Sequence, residues 1–107
     1  MKQFYTKIVG VTFDDRQKHI ASVRLGDHLT AVKEPNNQYD PNAIAVYSKK
    51  HQIGYLSRQV ANSLKNQDKI DILVSQITGK DKETLGVNVI VTIDIDEQEK
   101  NEELCQY

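Results

Sequence analysis

The stretch EPNNQYDPNAIAVY, Glu34 to Tyr47, holds both prolines of the chain, with three asparagines, an aspartate and a tyrosine directly ahead of an apolar run. Asparagine and aspartate tolerate left-handed backbone and cap turns through their side chains. Proline fixes its own backbone dihedral. The stretch therefore predicts a rigid loop that needs no core, running into a strand with Ile44 and Val46 inward. A single helical turn is expected around DPNA, with Asp40 as N-cap and Pro41 at the first helical position. The loop alone explains Pro35, Asp40 and Pro41. It does not explain Tyr39, because a loop tip has no structural use for a large ring unless the ring folds back on the body.

Outward from this loop the chain reads as strands. LGVNVIVTIDI places Val87, Val89, Val91, Ile93 and Ile95 on one face, with Ile90 the exception. That is period two in β-branched residues, the pattern of a half-buried strand. KIDILVSQI sets Ile70, Ile72 and Val74 on one face, and the loop GKDKETLG joins these two strands. FYTKIVGVTF is similarly rich in β-formers and alternates Tyr5, Val9, Val11 and Phe13, with Lys7 the outlier of that face. DHLTAVKE is a short strand ended by Pro35, and HQIGYL follows NAIAVYS across the polar hairpin loop SKKH. One helix is expected over SRQVANSLKNQ, with Ser57 as N-cap and Val60, Ala61 and Leu64 at helical spacing. DDRQK reads as a polar turn. Six strands in this length predict a small barrel or curled sheet rather than a sandwich.

The 107 residues suit one domain, with 38% apolar and 27% charged residues. No apolar run is long enough to span a membrane. The start, MKQFYTKIVGVTF, lacks an apolar leader core, so a cytoplasmic protein is expected. The single cysteine, Cys105, has no internal partner and agrees with that compartment. Charge is unevenly placed. Residues 94–107 carry six acids and one base, which leaves thirteen bases and nine acids in residues 1–93. A mildly basic body, residues 1–95, is thus followed by an acidic tail, residues 96–107. Such a body permits a polyanionic partner without demanding one, and the tail either aids solubility or competes with a polyanion for the basic face.

Catalytic patterns are missing. His19, His28 and His51 are widely spaced and form no ligand pair at zinc spacing. No phosphate-binding glycine pattern and no nucleophile elbow occur. Neither a metal nor a cofactor is implied, and a binding module rather than an enzyme is expected. What the chain offers is a set of flat rings and arginines at strand ends. Phe13 ends the first strand beside DDRQK, and Tyr55 and Arg58 flank the start of the helix. In a barrel these ends share a rim with the Tyr39 loop. Aromatic rings with Arg16, Arg58 and asparagine amides meet the needs of a single-stranded nucleic acid, whose bases stack on rings at about 1–3 kcal/mol each. Asp40 repels phosphate but accepts a hydrogen bond from a free hydroxyl. A protein-interaction module on the same barrel is the alternative, through an edge strand or the groove beside PNNQYDP.

KIVGVTFDDRQ, LTAVKEPNNQYDPNAIAVY and QIGYLSRQVANSL, in this order and spacing, resemble the HIRAN domain over about residues 4–95. The most specific part is Glu34-Pro35-Asn36-Asn37, Tyr39-Asp40-Pro41-Asn42-Ala43-Ile44 and Val46, followed by Ile53-Gly54-Tyr55-Leu56. The resemblance implies an OB-like six-stranded β-barrel with one or two short helices. It also implies binding of single-stranded DNA at its free 3′-hydroxyl end, in DNA repair or processing. By that resemblance Phe13 and Tyr39 sandwich the terminal base, Asp40 lies beside the 3′-hydroxyl with Asn37 in the same loop, and Arg58 meets phosphate next to Tyr55. Arg16 is the further basic residue. The chain departs from the eukaryotic pattern at Thr12, where an arginine is usual, and at Asp14, where a second aromatic is usual.

Overall fold

The computed structural model describes residues 2–94. Six strands and two short helices follow in the order β1 (Lys2–Lys7), α1 (Arg16–Ile20), β2 (His28–Lys33), β3 (Ile44–Ser48), β4 (His51–Tyr55), α2 (Arg58–Ser63), β5 (Ile70–Thr78) and β6 (Gly86–Ile93). The strands form one antiparallel sheet in the order β1-β6-β5-β2-β3-β4. The mainly β, six-stranded expectation is met in this sheet. Its ladder is open, with β1 and β4 at the two ends. Two residues past β1, Val9 forms an isolated bridge with Tyr55 of β4, the two exchanging N–H···O bonds of 2.8 and 2.9 Å. Among the described residues this bridge is the link between the two ends, so no strand ladder closes a barrel. Gly54 makes the approach possible. A Cβ there would sit 2.5 Å from both Ile8 Cγ2 and the Val9 carbonyl oxygen.

Period two explains most of the core. β6 buries Val87, Val89, Val91 and Ile93, and β5 buries Ile72 and Val74 with Ile70 half-buried against them. Ile95, the acidic tail over residues 96–107 and Cys105 lie outside the described residues. In β3, Ile44 and Val46 are buried as expected, and Ala45 is buried as well because that strand is covered on both faces. β1 corrects the sequence reading. Phe4 packs on the core and Ile8 is fully buried, whereas Tyr5, Val9 and Phe13 are exposed; of that alternating face, only Val11 packs partly inward. Both parities of this segment carry apolar residues, so alternation alone leaves the face undecided, and a slip of one position exchanges every side chain. The strand also stops at Lys7 rather than continuing to Phe13, and Gly10 turns the chain with φ of 67°.

The helices also shift. DDRQK, expected as a turn, contributes the start of α1. Asp15 stands at its N-cap position without a side-chain cap bond, and the anchor is the fully buried Ile20 at its end. DPNA forms no helix. It is a turn in which Ala43 N–H donates to the Asp40 carbonyl at 3.0 Å and Asn42 N–H to Asp40 Oδ1 at 2.9 Å. Ser57 caps α2 as expected, accepting from Val60 N–H at 3.2 Å, and Ala61 and Leu64 are buried. Among the described residues no helix is long and apolar enough to cross a membrane.

Candidate functional site

The loop from Glu34 to Ala43 is tied at its neck by Glu34 N–H to the Ala43 carbonyl, 2.9 Å. Inside it, Asn37 is the organiser. Its Oδ1 accepts from the backbone N–H groups of Tyr39 and Asp40 at 2.8 and 3.0 Å, and its Nδ2 donates to Glu34 Oε1 at 3.0 Å. One asparagine thus replaces a stretch of secondary structure, which is why the loop holds its shape without a core. The shape leaves Tyr39 81% exposed. The expectation that Tyr39 either folds back or faces outward resolves to the second. Asp40 is more enclosed; its side chain is 19% exposed and its Oδ2 lies 3.7 Å from Nε of Arg58, at the start of α2.

The facing loop, Val9 to Asp15, is held differently. Gly10 and Asp14 both take positive φ, 67° and 54°. Side chains of α1 reach back to fix the carbonyls this turn leaves free. Arg16 Nη1 donates to the Gly10 carbonyl at 2.6 Å. Gln17 Nε2 donates to the carbonyls of Val11 and Leu85, both at 2.9 Å, and Gln17 Oε1 accepts from Leu85 N–H at 2.7 Å. Phe13 is left 64% exposed at the loop tip.

Between the two loops lies an open groove of about 410 Å³, lined by Val9, Gly10, Phe13, Asp14, Arg16, Asn37, Tyr39, Asp40, Ala43, Tyr55, Leu56 and Arg58. All seven residues singled out from the sequence, Phe13, Arg16, Asn37, Tyr39, Asp40, Tyr55 and Arg58, therefore meet at one place. Their situations differ. Arg16 lies in the floor, with its side chain 11% exposed and its guanidinium carbon 5.7 Å from the Phe13 ring centre and 5.4 Å from that of Tyr55. With one nitrogen on Gly10 it braces the site. Arg58, with its side chain 77% exposed, is the arginine that reaches solvent. Tyr55 O–H donates to Glu34 Oε1 at 2.8 Å, the same oxygen that Asn37 uses. The Gln52 amide pulls the Tyr55 phenol down, but partial burial and the Glu34 carboxylate together outweigh it and raise its pKa above the ordinary value.

The sequence reading missed the supports. Glu34 lies within the quoted motif and ties Asn37 to Tyr55, yet a lone carboxylate before a proline carries no signal of that. Gln17 and Gly10 were also unassigned, and Gly10 within an apparent strand was the available cue, since an isolated glycine there marks a bend. Chemically the groove presents two outward rings, a floor that holds Arg16 among apolar side chains, the exposed Arg58 paired with the Asp40 carboxylate, and the exposed carboxylate of Asp14. Such a surface has the chemistry to stack a flat ring system and to hydrogen-bond its polar edge.

A family model described as HIRAN domain matches residues 1–94. The crystal structure of the HIRAN domain of human HLTF is similar over 94% of this chain and 81% of that one, with a TM-score of 0.70 at 21% identity. The crystal structure of a protein from Lactobacillus plantarum is similar over 87% of this chain and 100% of that one, with a TM-score of 0.61 at 23% identity. No curated protein matches the sequence.

Proposed function

The chain belongs to the HIRAN domain family, and on that premise we propose that it is a single-stranded DNA-binding module for free 3′-hydroxyl ends, acting in the cytoplasm in DNA repair or processing. The observation that carries this reading is the pair of exposed rings, Phe13 and Tyr39, brought from separate loops to one groove beside Asp40 and Arg58. In this reading the two rings stack the terminal base. Asp40 turns its carboxylate to the terminal hydroxyl, and Arg58 leaves Asp40 for the adjacent phosphate. Asn37 acts by holding the backbone of Tyr39 and Asp40, and Arg16 by bracing Phe13 against Tyr55. The protein has no catalytic step of its own. The Val9–Tyr55 bridge is read as the seam of an OB-like barrel. With Arg58 the exposed arginine of the groove, a log–log salt slope of about −0.7 is expected, as for one phosphate on a single strand.

The test is fluorescence anisotropy with three labelled single strands ending in a 3′-hydroxyl, a 3′-phosphate, or a hairpin that blocks the 3′ end. Binding is expected to favour the 3′-hydroxyl strand and to weaken about 10-fold or more in Tyr39→Ala. Equal binding to all three would remove end recognition and leave a general strand-binding groove. Binding to none would favour a protein-interaction module on the same groove, a reading supported by the cancelling formal charges of Arg16 and Arg58 against Asp14 and Asp40 in its lining.

A further inference from the structure

Asp14 stands on the Phe13 side of the groove with its side chain 87% exposed. Its φ of 54° is one of two positive values at non-glycine positions among the described residues, the other being Lys49 between β3 and β4. Aspartate is tolerated there, but asparagine adopts the same backbone and glycine does so at lower cost. The turn itself has no need of a negative charge. Asp40 earns its place by accepting the Asn42 N–H at 2.9 Å. The Asp14 carboxylate accepts no such backbone hydrogen bond among the described residues. Among the described residues its one ionic neighbour is Arg16 Nη2 at 4.0 Å, on a guanidinium whose Nη1 already serves Gly10. The carboxylate therefore offsets the floor arginine, as Asp40 offsets Arg58, and a phosphate approaching the Phe13 ring meets an acid before it meets a base. A base approaching the same ring carries no charge and is not opposed.

We propose that Asp14 is a specificity-determining residue of the groove: it keeps phosphate away from the Phe13 rim, so that the site takes an uncharged nucleoside terminus and turns away a terminus bearing phosphate. The inference rests on the single-strand reading given above. It is tested by measuring binding of 3′-hydroxyl and 3′-phosphate strands to the wild-type chain, Asp14→Asn and Asp14→Gly at low and high salt. Thermal midpoints check that the turn survives. Both variants are expected to bind the 3′-phosphate strand about 5-fold more tightly at low salt, with less gain on the hydroxyl strand and with the gain shrinking at high salt. Midpoints equal to or above wild type are expected for both. An unchanged ratio between the two strands, or an equal gain on both, would overturn the role of Asp14 while leaving single-strand binding in place. If the wild-type chain and both variants bind neither strand, the single-strand reading fails and this inference falls with it.

Discussion

The two loops that frame the groove each present one exposed ring, but they are built on opposite plans. The Glu34–Ala43 loop satisfies its backbone from within, through Asn37, Asp40 and the neck bond between Glu34 and Ala43. The loop from Val9 to Asp15 is fixed by side chains of the helix that follows it, Arg16 and Gln17 of α1, and through Gln17 by Leu85, far along the chain. The backbone of the first is held within residues 34–43, whereas the second also depends on Leu85, 68 positions from Gln17. A ring on a self-held loop keeps its place while distant packing changes; a ring on an externally held loop depends on the whole fold. Tyr55 joins the two, donating to Glu34 on one side and facing Arg16 on the other.

The strongest way to break the contrast is Gly54→Ala. Its methyl would collide with the backbone of Val9 and with Ile8, forcing apart the seam from which the Phe13 loop starts. A loss of about 3 kcal/mol in denaturant unfolding is expected. The next largest effect is expected from Gln17→Ala, which strands the carbonyls of Val11 and Leu85 and the Leu85 N–H together, at about 2 kcal/mol. Amide exchange should then rise in residues 10–15 and near Leu85, while residues 34–43 stay protected. Asn37→Ala sharpens the comparison from the other side. It removes the shared acceptor of the Tyr39 and Asp40 N–H groups, a part-exposed site where about 1 kcal/mol is expected. Exchange should rise within residues 34–43 alone. Were Gln17→Ala and Asn37→Ala to loosen the same residues, the distinction between the loops would be lost.

The smallest effect concerns the joint between them. The Tyr55 phenol is raised above its ordinary 10.0, so the folded state holds that proton more tightly than the unfolded chain does. The contribution to stability is full below about pH 10 and is lost as pH climbs through the folded value. Tyr55→Phe is expected to flatten the decline in unfolding free energy between pH 9 and 11. An identical decline in both proteins would show that the Glu34–Tyr55 contact does not set it.

The same contrast governs what was legible in the sequence. The Glu34–Ala43 loop could be read because its prolines, Asn37 and Asp40 act on backbone a few residues away, and the ring it leaves exposed stood out as unexplained. α1 could not be read. Five residues with four of them polar, and no side-chain cap from Asp15, give no periodic signal, and only Ile20 meeting the core makes the segment a helix. Of the residues that line the groove, Tyr39 stood out in the sequence because a ring in a self-held loop has no core to enter, while the others were picked out chiefly through the resemblance to the HIRAN domain.

By itself the sequence determined six strands, the inward faces of β5 and β6, the burial of Ile44 and Val46 in β3, the Ser57 cap and the local turn chemistry of the Tyr39 loop. Each of these depends on contacts within a few residues or on a period that one face alone satisfies. Tertiary structure decided which parity of β1 faces inward, that Val9 meets Tyr55 across Gly54, and that Arg16 serves a carbonyl in the floor while Arg58 stays exposed. Those outcomes turn on apolar residues available to either face and on partners far along the chain, so they exist only once the sheet has curled and brought its two ends together.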